Sequence, residues 1–286
     1  MTRGLREPPV HQEFAVSPEG LFFCAGAGAE LVQTLDAQIR MAAHAAGAEE
    51  YRFPTIIAKQ TLQRADYFQS FPDYALSVKH PVQGDYFLTP AACYHCYELL
   101  ADSVTSHSVT NHSITNHSIT NRSITNQGAL MTCCSRCFRA DKPDQSHLLE
   151  FTMREVVFIG GRGEAVEWRA SWMQRVERWM NHLGLKSELV PASDHFFGEE
   201  TRGKKLLQQI KKLKYELRVG DISGSAMAIA SFNLHEQFFT SRFGISLADN
   251  RPAHSACVAF GLERWAMALT ARYGMQETIQ RVETMQ

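Results

Sequence analysis

Residues 256–269 read ACVAFGLERWAMAL. Ala256 to Phe260 is an uncharged apolar run of the length of a buried strand, and Gly261 then leads directly into a helix reaching about Tyr273. Upstream, Ala226 to Leu234 and Leu149 to Ile159 are further apolar or β-branched runs, and Tyr86 to Leu88 is a shorter one. Two helical periodicities accompany them. Residues 28–46 place Leu31, Leu35, Ile39 and Ala43 on one stripe and stop at Gly47, and residues 164–183 place Trp172, Val176, Trp179, Met180 and Leu183 on one face and stop at Gly184. The strands are joined by connections of varied length and do not alternate regularly with helices. This favours an α+β fold, a mostly antiparallel sheet flanked by helices, over a doubly wound parallel sheet.

The composition sets outer bounds. The chain has 286 residues, 44% hydrophobic and 21% charged, which is globular composition and enough length for one large domain or two small ones. Lys and Arg number 29 against 30 Asp and Glu, a net charge of -1, so no global field exists to hold a polyanion and any nucleic-acid role would need a local patch. No run approaches the roughly 18 to 20 apolar residues of a membrane span. The start, MTRGLREPPVHQEF, lacks the apolar stretch of a signal peptide, and the expectation is a soluble cytoplasmic protein with no membrane partner.

Two segments depart from that pattern. Residues 103–127 are five tandem copies of a pentapeptide, SVTSH SVTNH SITNH SITNR SITNQ. One aliphatic residue per unit cannot build a core, so the repeat reads as a surface insertion. His107, His112 and His117 offer metal-binding side chains, but tandem expansion gives the same spacing without any chemistry. Residues 201–218, TRGKKLLQQIKKLKYELR, set Arg202, Lys204, Lys205, Lys211, Lys212, Lys214 and Arg218 against Glu216 alone. Leu206, Leu207, Ile210 and Leu213 add an apolar stripe. The stretch reads as a basic amphipathic helix, either a solvated outer face or a docking surface for an acidic partner.

Seven cysteines are an odd number, better suited to thiols or metal ligands than to a disulfide framework. Cys93 with Cys96 and Cys134 with Cys137 make two C-x2-C pairs, the raw material of a structural zinc ribbon. The interval between them is longer than the about 20 residues usual between such knuckles and is filled mostly by the repeat.

Three segments, in order, resemble the signature regions of class II aminoacyl-tRNA synthetases. EYRFPTII at 50–57 with YFQSFP at 67–72 resembles motif 1, around Pro54. RCFRADKPDQSHLLEFTMREVVFIG at 136–160 resembles motif 2, and ACVAFGLERWAMAL resembles motif 3. Within that superfamily, LTPAACY, CFR, LLEFTMREVVFIG, SFNLHEQFF and SACVAFGLERWAMAL together resemble the bacterial amino acid:carrier protein ligases, relatives of the atypical seryl-tRNA synthetases of methanogens. The similarity runs from about residue 20 to 274, interrupted by the repeat.

The resemblance implies a single class II catalytic domain over 1–286, working as a homodimer through motif 1. It implies ATP-dependent activation of a small amino acid, glycine or alanine, and transfer to the phosphopantetheine thiol of a small acidic acyl carrier protein instead of tRNA. It also implies one zinc ion per subunit, held by Cys93, Glu155 and Cys257, and Mg2+ accompanying ATP. Sequence spacing would never select that trio, and Cys257 by itself reads as a buried apolar thiol. By the same match Arg139 meets the α-phosphate and the attacking carboxylate, and Arg264 the γ-phosphate. Phe151 lies on the adenine, or is simply a core aromatic. His147 and Leu148 line the adenine edge, and Ala228, Ile229, Ala230 and Ser231 underlie the nucleotide. Glu155 and Asn233 meet the substrate amino acid. The family has Arg-x-Glu where this chain has Arg139, Ala140 and Asp141, so adenine recognition falls to an acid one methylene shorter and weaker ATP binding is expected. A tRNA-charging synthetase and a non-catalytic paralogue are the rival readings. The basic stretch gives the carrier a docking surface by electrostatic steering.

Overall fold

The computed structural model describes residues 13–79, 84–101, 129–140, 148–192, 211–220, 226–247 and 249–285. In chain order the elements begin with strands β1 (Phe14–Val16) and β2 (Phe22–Cys24), helix α1 (Ala27–Ala45), β3 (Glu49–Tyr51) and β4 (Ile56–Ala58). Helices α2 (Lys59–Arg64) and α3 (Tyr67–Ser70), strands β5 (Ser77–Val78) and β6 (Tyr86–Leu88), and helix α4 (Tyr94–Leu99) follow. The second half holds β7 (Ala129–Phe138), β8 (Glu150–Gly160), α5 (Arg162–Leu183), β9 (Ser187–Ala192), β10 (Lys214–Gly220) and β11 (Ala226–Glu236). It ends with α6 (Phe238–Arg242), β12 (His254–Gly261), α7 (Leu262–Tyr273) and α8 (Met275–Glu283).

Among the described residues, seven strands form one sheet in the order β3-β7-β8-β12-β11-β10-β9. Every neighbouring pair is antiparallel except β3 with β7. The expected α+β architecture is the observed one. No described helix is long and apolar enough to cross a membrane.

Both faces of this sheet are covered, which is why its central strands read as almost unbroken apolar runs. Alternation along a strand sends successive side chains to opposite faces. From β8 and β12, Val156, Val258 and Phe260 enter one core with α1, α5, α7 and α8. Met153, Val157, Ile159, Cys257 and Ala259 enter a second core with Cys133 and Cys137 of β7 and residues of α2, α4 and α6. In the first core Phe260 is surrounded by Trp172, Trp179 and Trp265 at centroid distances of 6.1, 6.0 and 6.1 Å. Trp265 also donates its indole N–H to the Ile229 carbonyl at 2.9 Å, pinning α7 onto β11. Helix α5 closes where its pattern predicted, at Gly184, whose φ of 66° is the left-handed conformation that glycine adopts without a Cβ clash.

One sequence expectation requires correction. The basic segment at 201–218 is not a single amphipathic helix, because Lys214–Gly220 is strand β10, paired with β9 and β11. Tyr215, Leu217 and Val219 face the first core at the two-residue period of a strand, and that burial overrides the helical spacing read through the lysines. Lys214 is mostly buried and pairs with Glu216 at 3.2 Å. Residues 201–210 lie outside the described residues, as do the repeat at 103–127 and the expected site residues Asp141 and His147.

Among the described residues, the first core holds one buried cation. Arg154 of β8 is 1% exposed. Its Nε and Nη2 donate to the two carboxylate oxygens of Asp36 on α1 at 2.7 and 2.8 Å, and its Nη1 donates to Glu50 of β3 at 2.8 Å. Thr132 of β7 accepts a further bond from Nη1 at 3.3 Å. The planar guanidinium thus ties one helix and two other strands to β8, which the point charge of a lysine would not do. Replacing Arg154 with Ala leaves two carboxylates facing a void. It is expected to cost about 3–5 kcal/mol, read as a fall in the denaturant midpoint of unfolding, with Arg154→Lys recovering only part of the loss.

Candidate active site

The second face of the sheet gathers the chemistry. Glu155 follows Arg154 on β8 and so points to the opposite side. Cys257 lies on the adjacent strand β12, opposite Val157 of β8 and Asn233 of β11. Cys93 sits just before α4, at its N-cap, and its backbone N–H donates to Glu155 Oε1 at 3.1 Å. All three residues are buried, and one ligand atom from each falls within 4.8 Å of the others.

Their proton balance follows from burial. Glu155 is pushed up to about 8, first by burial and then by the charge of Cys257. Cys93 is raised well above an ordinary thiol, chiefly because it hydrogen-bonds to Cys257, with burial adding to the effect. Cys257 is lowered, first by that same bond and further by His235 and Asn233. Three acids packed into one buried space thus resist carrying charge together. A divalent cation would displace the protons they hold and supply the missing positive charge. Two sulfurs and one carboxylate oxygen suit zinc, and three protein ligands leave a fourth position for substrate, the pattern of a catalytic site. The residues fit the ion.

The other cysteines form no ribbon. Cys96 Sγ lies 4.0 Å from Cys133 Sγ, outside either C-x2-C pair. Cys134 packs against the first core near Asp36, whereas Cys133 and Cys137 pack in the second. Strand alternation thus separates Cys134 from Cys93, Cys96 and Cys137.

The expected nucleotide residues lie on neighbouring elements. Arg139 follows β7, donates Nε–H to the Pro90 carbonyl at 3.0 Å, and holds its guanidinium 5.2 Å from the Phe151 ring centroid. Phe151 pairs with Cys137 in the β7–β8 register. Leu148 is buried at the start of the return toward β8. Ala228, Ile229, Ala230 and Ser231 are consecutive on β11, and Arg264 from the first turn of α7 donates to the Ala228 carbonyl at 3.0 Å. Asn233 donates to Ser231 Oγ at 3.1 Å and to Cys257 Sγ at 3.4 Å, joining β11 to the cysteine cluster.

Sequence reasoning missed two neighbours. Glu263, 3% exposed and raised by burial, receives the Thr152 backbone N–H at 2.8 Å on each oxygen. It clamps the helix carrying Arg264 to the strand carrying Phe151. His235 places Nε2 3.3 Å from Cys257 Sγ. The alternation Ser231, Asn233, His235 in SFNLHE was the available signal for it.

No family model matches the chain. Two curated relatives from Bradyrhizobium diazoefficiens do. Amino acid--[acyl-carrier-protein] ligase 1 is 29% identical over 255 residues, spanning 80% of this chain and 73% of the relative. Amino acid--[acyl-carrier-protein] ligase 2 is 30% identical over 253 residues, spanning 79% and 70%. Among solved structures, M. kandleri SerRS bound to A. aeolicus tRNASec superposes with a TM-score of 0.74 at 21% identity, covering 94% of this chain and 58% of that one. That likeness is one of fold, and the fold is the class II aminoacyl-tRNA synthetase fold.

The geometry separates the cysteines by consequence. After dialysis, Cys257→Ser is expected to retain little zinc, whereas Cys96→Ser is expected to retain about as much as the parent, measured by elemental analysis. Equal loss in both would restore the ribbon reading.

Proposed function

Because the chain belongs to the amino acid--[acyl-carrier-protein] ligase family, we propose that it activates a small amino acid, glycine or alanine, with ATP and passes it to the phosphopantetheine thiol of a small acidic carrier protein. The observation that carries this reading is the convergence of Cys93, Glu155 and Cys257 beside the strand that bears Ala228 to Asn233.

In the first half reaction a substrate carboxylate oxygen attacks the α-phosphorus of ATP and pyrophosphate leaves. Negative charge builds on phosphorus, and preorganised cations lower that barrier. Arg139 would bind the α-phosphate with the attacking carboxylate, and Arg264 the γ-phosphate, each using a fork that never loses its proton. Phe151 would carry the adenine, with Leu148 and His147 at its edge, and Mg2+ would accompany the phosphates. Asp141 would take the place of the longer family glutamate. In the second half reaction the carrier thiol attacks the adenylate carbonyl and AMP leaves.

A zinc ion held by Cys93, Glu155 and Cys257 would supply a Lewis-acid position for the substrate amine, selecting an α-amino acid over a plain carboxylic acid. Asn233 stands beside that position and can orient the amine. The site lies among Tyr97, Phe239 and Cys257, all buried, which supports a small substrate side chain. A homodimer through the segment around Pro54 belongs to the same reading. The carrier would dock near the positive segment that includes Lys211 and Lys212.

The proposal is tested by amino-acid-dependent exchange of pyrophosphate into ATP across the twenty amino acids. Exchange with glycine or alanine is expected, and Arg264→Ala is expected to lower it by about 100- to 1,000-fold. Absence of exchange with every amino acid contradicts the proposal and favours a non-catalytic paralogue. Lys211→Glu combined with Lys212→Glu is expected to leave exchange intact while slowing transfer to the carrier, with the deficit growing as salt is lowered.

A further inference from the structure

Cys257 is the buried sulfur with the most donors around it. Asn233 Nδ2 lies 3.4 Å away, His235 Nε2 lies 3.3 Å away, and Cys93 completes its surroundings within 4.8 Å. A metal-bound cysteine sulfur offers only lone pairs, and Nε2, the His235 nitrogen that faces it, is then the donor.

The imidazole is not loosely placed. It meets Phe239 edge to face at 4.8 Å and 70°, and Tyr97 at 6.4 Å and 81°. Tyr97 is fully buried and is itself fixed by donating its hydroxyl proton to Ser255 Oγ at 3.1 Å. The pairing of β11 with β12 shifts register between Leu234 and Glu236, at the position of His235. Such an irregularity re-aims a side chain, and here the ring is directed at the sulfur. Among the described residues the metal-competent group contains no histidine, so the imidazole stands behind the ligand sulfur and not among the ligands.

We propose that His235 is a positioning residue for the metal site: its Nε2–H bond to Cys257 Sγ fixes which lone pair of the sulfur faces the ion and draws charge off the thiolate. This rests on the metal reading of the site given above. Packing alone would not require the residue to be histidine, because a phenylalanine would serve the contacts with Tyr97 and Phe239. The nitrogen is what the sulfur uses. Partners that orient a ligand in this way are commonly worth 10- to 100-fold in metal affinity.

The test uses the full chain loaded with Co2+ in place of zinc. The parent is expected to show a thiolate-to-cobalt charge-transfer band. His235→Phe keeps the ring packing and removes the donor. It is expected to move that band to longer wavelength and to weaken zinc binding about 10- to 100-fold in competition with a chromophoric chelator. His235→Gln, which retains an N–H donor, is expected to recover part of both. If His235→Phe does not fold by circular dichroism, His235→Ala is read in the same way. A band and an affinity unchanged in a folded donorless variant overturn the role of His235 while leaving the metal reading intact. A parent that shows no thiolate band overturns the metal reading, and the role of His235 with it.

Discussion

Arg154 and Glu155 are consecutive residues of β8 that serve opposite faces of one sheet. Arg154 is bonded to Asp36 of α1 and Glu50 of β3, and those bonds hold the helix layer and the parallel edge strand in place. With β8 fixed from that side, Glu155 is presented on the other, where Cys93 and Cys257 approach it. A buried ion pair seldom adds much net stability over a well-packed apolar equivalent. Its value here lies in geometry, because a planar cation with two carboxylates on two separate elements allows only one arrangement of α1, β3 and β8.

The site exploits a second constraint, the difficulty of keeping several acids charged in a dry interior. Burial raises Glu155 and adds to the rise of Cys93, while the bond between the two thiols lowers Cys257. The expected nucleotide residues share the same framework. Arg264 and Glu263 leave adjacent positions of α7, one to β11 and the other to β8, so motif 2 and motif 3 are fixed relative to each other by the Thr152 bond.

Much of the scaffold was legible in the sequence. The stripe through Leu31, Leu35 and Ile39 and the Trp172 to Leu183 face gave both long helices, because a 3.6-residue period ending at a glycine has few other meanings. Tyr86–Leu88 is a strand as expected, and the continuous runs of β8, β11 and β12 reflect burial on both faces. Strand β10 was hidden because the lysine-rich stretch before it carries a helical spacing, while Tyr215, Leu217 and Val219 declare a strand only once β9 and β11 are beside them. Cys93 and Glu155, 62 residues apart, could be joined only through resemblance to a known family. Composition and spacing hold no information on which strands are neighbours. Arg154 and Glu263 were unreadable for the same reason: each acts through a partner that is remote in the chain.

The central claim is that an amino acid bound beside Cys93, Glu155 and Cys257 ends on a carrier thiol. Intact-mass spectrometry of a holo acyl carrier protein, incubated with this chain, ATP, Mg2+ and glycine or alanine, tests it directly. The account predicts a mass increase of one aminoacyl group that hydroxylamine removes and that the apo carrier never shows. Formation of AMP with the carrier mass unchanged, while added tRNA becomes aminoacylated, would contradict it.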